Sequence, residues 1–168
     1  MRSFGKNQLK DLEIFALHAA SLPEASAKLL LPTKYFTALI ACDSDQLTVE
    51  EIGDFAEVLI DKGAIYVCAW GKGCERFHDI IDETEVEREI LGKPCVARNG
   101  GTLMTTWHKD ESLDEALWYL LSCACPLDNE IKSCSTVVIT IKNEAWAKEI
   151  VQRLENVEQF KKEILDSN

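Results

Sequence analysis

Cys74 and His78 lie four residues apart at the start of a helical pattern, a spacing that puts two side chains on one helix face. A thiol near a helix N-terminus is favoured as thiolate, and a Cys–His pair is the minimum for thiol nucleophilic catalysis. Asp43 and His108 complete the candidate catalytic set, with His108 suited to proton transfer near neutral pH. The structural alternative for Cys74 is a small buried core residue. Asp79, Asp82 and Glu83 can supply carboxylates for acid–base work, or simply form an acidic helix surface.

Gly71-Lys72-Gly73 precedes Cys74. It lacks both the Gly-x-x-x-x-Gly-Lys-Ser/Thr pattern of a phosphate loop and the Gly-x-Gly-x-x-Gly dinucleotide pattern, because Arg76 stands where the third glycine belongs. Free N–H groups at the helix start can still accept an anion, whereas the competing reading is a tight turn and nothing more. Trp70 and Trp107 each fall near the end of a predicted strand, where they can stack on a flat ligand or cover the sheet as core. The ligand-binding expectation covers Trp70, Gly71, Lys72, Gly73, Asp79, Trp107, Asp110 and Asn143. No metal site is expected: His78, His108 and Cys74 lack paired short spacings, and Cys123-x-Cys125 on a helix points its side chains apart. No cofactor motif is present.

Four strand-then-helix units position these residues. Strands are predicted at Tyr35–Cys42, Ala64–Trp70, Thr102–Trp107 and Thr136–Ile141. Thr48/Glu51 and Ser112/Glu115 have capping-box spacing and start two helices. A third helix carries Phe77, Ile80 and Ile81 and stops at Gly92 and Pro94, and Asn143 caps a fourth with Trp146, Ile150, Leu154 and Val157 on its stripe. Phe160 and Ile164 extend that stripe. Strand and helix alternating in this way imply a three-layer α/β fold, with a mainly parallel four-stranded sheet and helices on both faces, Rossmann-like or flavodoxin-like. A flavodoxin-like order would put the ligand crevice between the first and third of these strands. Ligands bind outside the carboxyl ends of such strands, which here carry Asp43-Ser44-Asp45, Trp70 to Cys74, Trp107 to Asp110, and Lys142-Asn143.

Residues 1–34 read as an N-terminal extension packed on a single domain of residues 35–168. In that extension Leu9, Leu12 and Phe15 suggest a short helix face, and Leu29-Leu30-Leu31 an edge strand. Met1 to Asp11 lacks the apolar region of a secretory leader, and no apolar run approaches a membrane span. With no export signal, the seven cysteines read as free thiols in a reducing cytoplasm. The net charge of −11 disfavours general nucleic-acid binding and suits a basic protein partner.

Three blocks carry a resemblance. They are Val67-Cys68-Ala69-Trp70-Gly71 with Cys74 and His78-Asp79, then Thr102 to His108 with Asp110-Glu111, then Thr136 to Ile141. Together they resemble an uncharacterised family of small bacterial α/β domains of unknown function. The resemblance implies no activity. It does imply that Trp70, Gly71, Cys74, Asp79, Trp107, His108 and Asp110 belong to a family pattern. Two functions follow as expectations: an acidic binding module that docks a protein partner in an immunity-like, inhibitor-like or accessory role, or an enzyme or sensor for a small anionic or nucleotide-like ligand at the carboxyl edge.

Overall fold

Continuous apolar runs form the centre of a sheet, and amphipathic helices cover it on two sides. The computed structural model describes residues 1–7, 11–93, 102–124 and 133–166. The sequence readings at Leu9, Pro94, Cys95 and Cys125 lie outside the described residues.

The strands are β1 (Arg2–Asn7), β2 (Leu12–Ala19), β3 (Tyr35–Ala41), β4 (Ala64–Trp70), β5 (Met104–His108) and β6 (Cys134–Ile141). The helices are α1 (Leu22–Lys28), α2 (Val49–Asp61), α3 (Cys74–Ile90), α4 (Leu113–Ser122), α5 (Glu144–Glu155) and α6 (Val157–Asp166). Both expected capping boxes are present, with the Thr48 and Ser112 hydroxyls accepting from Glu51 and Glu115 and those glutamates accepting in return. Asn143 caps α5 through its side-chain oxygen. The last helical stripe is two helices, because Asn156 takes a non-helical conformation between α5 and α6.

Among the described residues six strands are ordered β1-β2-β6-β3-β4-β5. β1 runs antiparallel to β2, and every other pair is parallel. This corrects the four-stranded expectation: Leu12 and Phe15 lie on a strand, and no strand forms at Leu29–Leu31. It also removes the flavodoxin-like crevice, because β4 separates β3 from β5.

The direction of each step decides which face its helix covers. From β2 to β3, β4 and β5 the chain moves one way, and α1, α2 and α3 share one apolar cluster with Phe36, Ala38, Ile40, Val67 and Val137. From β5 to β6 it turns back. A crossover of the same hand then lands on the opposite face, and α4, α5 and α6 pack there against Leu39, Ala41, Cys68 and Val138. The chain therefore leaves neighbouring strands β4 and β5 toward opposite faces. Such a switch point is where open α/β sheets place ligands. Among the described residues no helix is long and apolar enough to cross a membrane.

Candidate functional site

The turn after β4 is built for close approach of two loops. Gly71 has φ +110°, and a Cβ there would lie 2.3 Å from the Cys42 carbonyl oxygen. Gly73 has φ +73°, and its Cβ would meet Ser44 Oγ at 2.5 Å and Asp45 Oδ1 at 2.6 Å. Only glycine fits either place. The loop after β3 fills the turn: Ser44 N–H donates to the Lys72 carbonyl at 2.8 Å, Ser44 Oγ to the Gly73 carbonyl at 2.6 Å, and Arg76 to the Ser44 carbonyl at 3.0 Å. Lys72 pairs with Asp45 at 2.8 Å, which holds the Lys72 ammonium above its ordinary pKa. An anion arriving at this helix start would meet a carboxylate, Asp45, already seated against Gly73. Asp43 accepts from the Asp45 N–H at 3.2 Å and shapes the same loop.

Cys74 is buried, and burial pushes its thiol above the ordinary value, opposed in part by the backbone N–H of His108. Cys42 lies close by. Burial first, then the charge of Asp43 and the neighbouring Cys74, push its thiol up to about 12. Both sulfurs are held protonated, the reverse of an activated nucleophile.

Alternation along β5 sends its side chains to opposite faces. Thr105 and Trp107 face α3. There the His78 ring packs edge-on against Trp107, with centroids 4.6 Å apart, and its nitrogens meet Asp79 at 3.1 Å and Asp82 at 3.4 Å. Thr105 donates to Asp82 at 2.6 Å. His78 is thus engaged with β5 and its own helix.

His108 and Thr106 face α4. His108 is 3 % exposed, with Nδ1 2.8 Å from Glu111 Oε2 and Nε2 3.1 Å from Thr106 Oγ1. An ionised carboxylate only accepts, so Nδ1 carries the proton, and in the neutral ring Nε2 accepts from the Thr106 hydroxyl. Tyr66 bonds to Thr106 and shares a 2.8 Å bond with the Tyr119 hydroxyl; burial, then Tyr119, raises its pKa. The Tyr119 ring packs on His108 at 4.7 Å. Trp70 closes the far side, with Nε1 donating to the Glu111 carbonyl at 2.8 Å and its ring edge-on to Trp146 at 4.9 Å.

The predicted residues therefore fall into three groups. Asp43, Gly71, Lys72 and Gly73 join two loops; His78, Asp79 and Trp107 lie on the α3 face; His108 and Trp70 lie on the α4 face. Cys74 is buried in the apolar cluster on the α3 face, within reach of the His108 backbone. Asp110 is exposed on the loop after β5, and Asn143 spends its side-chain oxygen on the Ala145 and Trp146 N–H groups. Sequence reasoning missed Thr106, Glu111, Tyr66 and Tyr119. Two of these were open to it: Thr106 shares a strand face with His108, and Glu111 follows three residues later. Among the described residues no group of three His, Cys, Asp or Glu side chains is placed to hold a metal ion.

A separate concavity of about 320 Å³ runs between α2 and α3. Glu50, Asp54, Glu57, Glu83 and Glu87 line it, above Ile80 and Gly53. Glu57 and Asp61 hold the buried Arg88, the latter at 2.7 Å. The other four lining carboxylates form no salt bridge among the described residues.

No curated protein and no solved structure matches the chain. A family model described as a domain of unknown function (DUF7684) matches residues 13–157, from β2 to the start of α6. That span includes every candidate side chain named above, and the chain belongs to this family.

Proposed function

We propose that this domain is an acidic binding module that docks a basic protein partner, in an immunity-like, inhibitor-like or accessory role. The α2–α3 groove carries the proposal. Four carboxylates without cationic partners among the described residues face one concavity, and their like-charge repulsion would be relieved by a basic segment. The net charge of −11 would steer such a partner toward the surface. The free buried thiols of Cys42 and Cys74 accord with a reducing cytoplasm as the setting. The parallel strands with helices on both faces support reading the fold as Rossmann-like, with the antiparallel β1 as an addition.

The alternative, a small anionic or nucleotide-like ligand at the carboxyl edge, has weaker support. Asp45 occupies the helix start where an anion would sit, and His78 and His108 work on opposite faces of the sheet.

The test is affinity capture with the full chain as bait, beside a variant carrying Glu50→Gln, Asp54→Asn, Glu83→Gln and Glu87→Gln. A basic partner should be retained at about 0.05 M salt, released at about 0.5 M, and not held by the variant. Equal retention by both proteins, or retention indifferent to salt, would refute the reading.

A further inference from the structure

The line from Glu111 through His108 to Thr106 has the order carboxylate, imidazole, hydroxyl, with contacts of 2.8 and 3.1 Å. A nucleophile within hydrogen-bond reach of a base, the base oriented by a third group, is the general arrangement for covalent catalysis. Thr106 and His108 share one face of β5, and Glu111 stands on the loop that follows the strand.

Exposure along this face of β5 is graded. Met104 is 43 % exposed, Thr106 partly so, and His108 only 3 %. α4 thus covers the imidazole and leaves the start of the strand open. The Thr106 hydroxyl stands at the boundary, with its base on the dry side and Met104, an adaptable apolar contact, on the wet side. Among the described residues β5 is the edge strand of the sheet, so the approach is from that edge.

We propose that Thr106 is the nucleophile, and His108 the base, of an acyl-transfer site that accepts esters of short apolar acids. Attack of Thr106 Oγ1 on the ester carbonyl carbon forms an O–C bond, while the hydroxyl proton moves to His108 Nε2. Collapse of the adduct breaks the bond to the alkoxide, which leaves as the alcohol with that proton. Water then attacks the acyl-threonine, its proton passes through Nε2, and the Thr106 hydroxyl and a free carboxylic acid are regenerated. Glu111 is a positioning residue that fixes the tautomer of the ring. The site is separate from the α2–α3 groove.

The experiment uses the full chain with p-nitrophenyl acetate and p-nitrophenyl butyrate. Expected are turnover by the wild type and an acyl group on Thr106, found by mass spectrometry after acid quench. Thr106→Val and His108→Gln should each lower the rate about 100-fold or more, the usual scale of a lost nucleophile or base. Thr106→Ser should retain it within about tenfold, and Glu111→Gln should lower kcat without raising KM. Acyl groups found only on lysine or cysteine, or equal rates for wild type and Thr106→Val, would overturn the proposal. Unfolding midpoints identify any variant that fails to fold; the mass-spectrometric assignment on the wild type is then decisive alone. The groove variant should hydrolyse both esters at the wild-type rate, so failure of partner binding and failure of this site are told apart.

Discussion

Trp70 Nε1 donates to the backbone carbonyl of Glu111 at 2.8 Å, tying the end of β4 to the loop after β5. Trp70→Phe keeps an aromatic ring against Trp146 and removes this bond. It should cost about 1–2 kcal/mol in urea unfolding, and speed amide exchange at residues 109–112. Unchanged exchange there would show that the loop is held by other contacts.

Gly71 and Gly92 both have positive φ, yet their surroundings differ. A Cβ on Gly71 meets the Cys42 carbonyl at 2.3 Å, whereas Gly92 has open space around it. Gly71→Ala should therefore destabilise by about 3 kcal/mol or more, combining backbone strain with a clash. Gly92→Ala should cost about 1 kcal/mol, from conformation alone. Denaturant midpoints compare the two directly.

Acid should weaken the two capping boxes. Bonds from the Thr48 backbone and hydroxyl hold the Glu51 carboxyl below its ordinary 4.5, and Ser112 does the same for Glu115. A carboxyl lowered on folding stabilises above its unfolded pKa, and that contribution fades as pH falls through the folded value. Glu51→Gln and Glu115→Gln keep the box geometry without the charge. The midpoint gap between wild type and each variant should hold above the ordinary 4.5 and narrow as the pH falls below it. A constant gap would mean that the charge plays no part.

The thiols should react in order of exposure. Cys123 is exposed, while Cys42, Cys68, Cys74 and Cys134 are buried. Iodoacetamide at neutral pH should modify Cys123 before any of those four, with peptide mass mapping as the readout. Rapid modification of Cys74 would contradict its protonated, enclosed state. The raised Cys42 thiol also implies a stability contribution that is intact below its ordinary 9.0 and lost as pH climbs toward about 12.

Much of the fold was legible because local patterns and tertiary needs agree. β4 runs from Ala64 to Trp70, as its apolar run predicts, and Thr48 and Ser112 start α2 and α4. β2 was misread. Leu12 and Phe15 are three apart, a helical interval, while Phe15, Leu17 and Ala19 recur every second residue on one face of the strand and Ile14 is buried on the other. A short stretch can satisfy both periods, and pairing with β6 decides between them. Strand order was not legible, since it depends on where each crossover lands. The site was half legible. His108 does meet a polar constellation at the sheet edge, but Cys74 and His78, one helical turn apart, have different neighbours: the His108 backbone for one, Trp107 for the other. Spacing along a helix fixes direction, and the packing partner fixes chemistry.

The insertion of β6 between β2 and β3 has a consequence for synthesis. Residues 13–19 and 35–41 each pair with residues 134–141, and so they find their shared partner only after nearly the whole parallel core has been made. Until then a nascent chain presents two bare strand borders flanked by residues as greasy as Ile14 and Phe36. Folding must wait on long-range closure, a slow kind of contact to form, and a chain stopped before Cys134 should aggregate instead of persisting as a smaller domain.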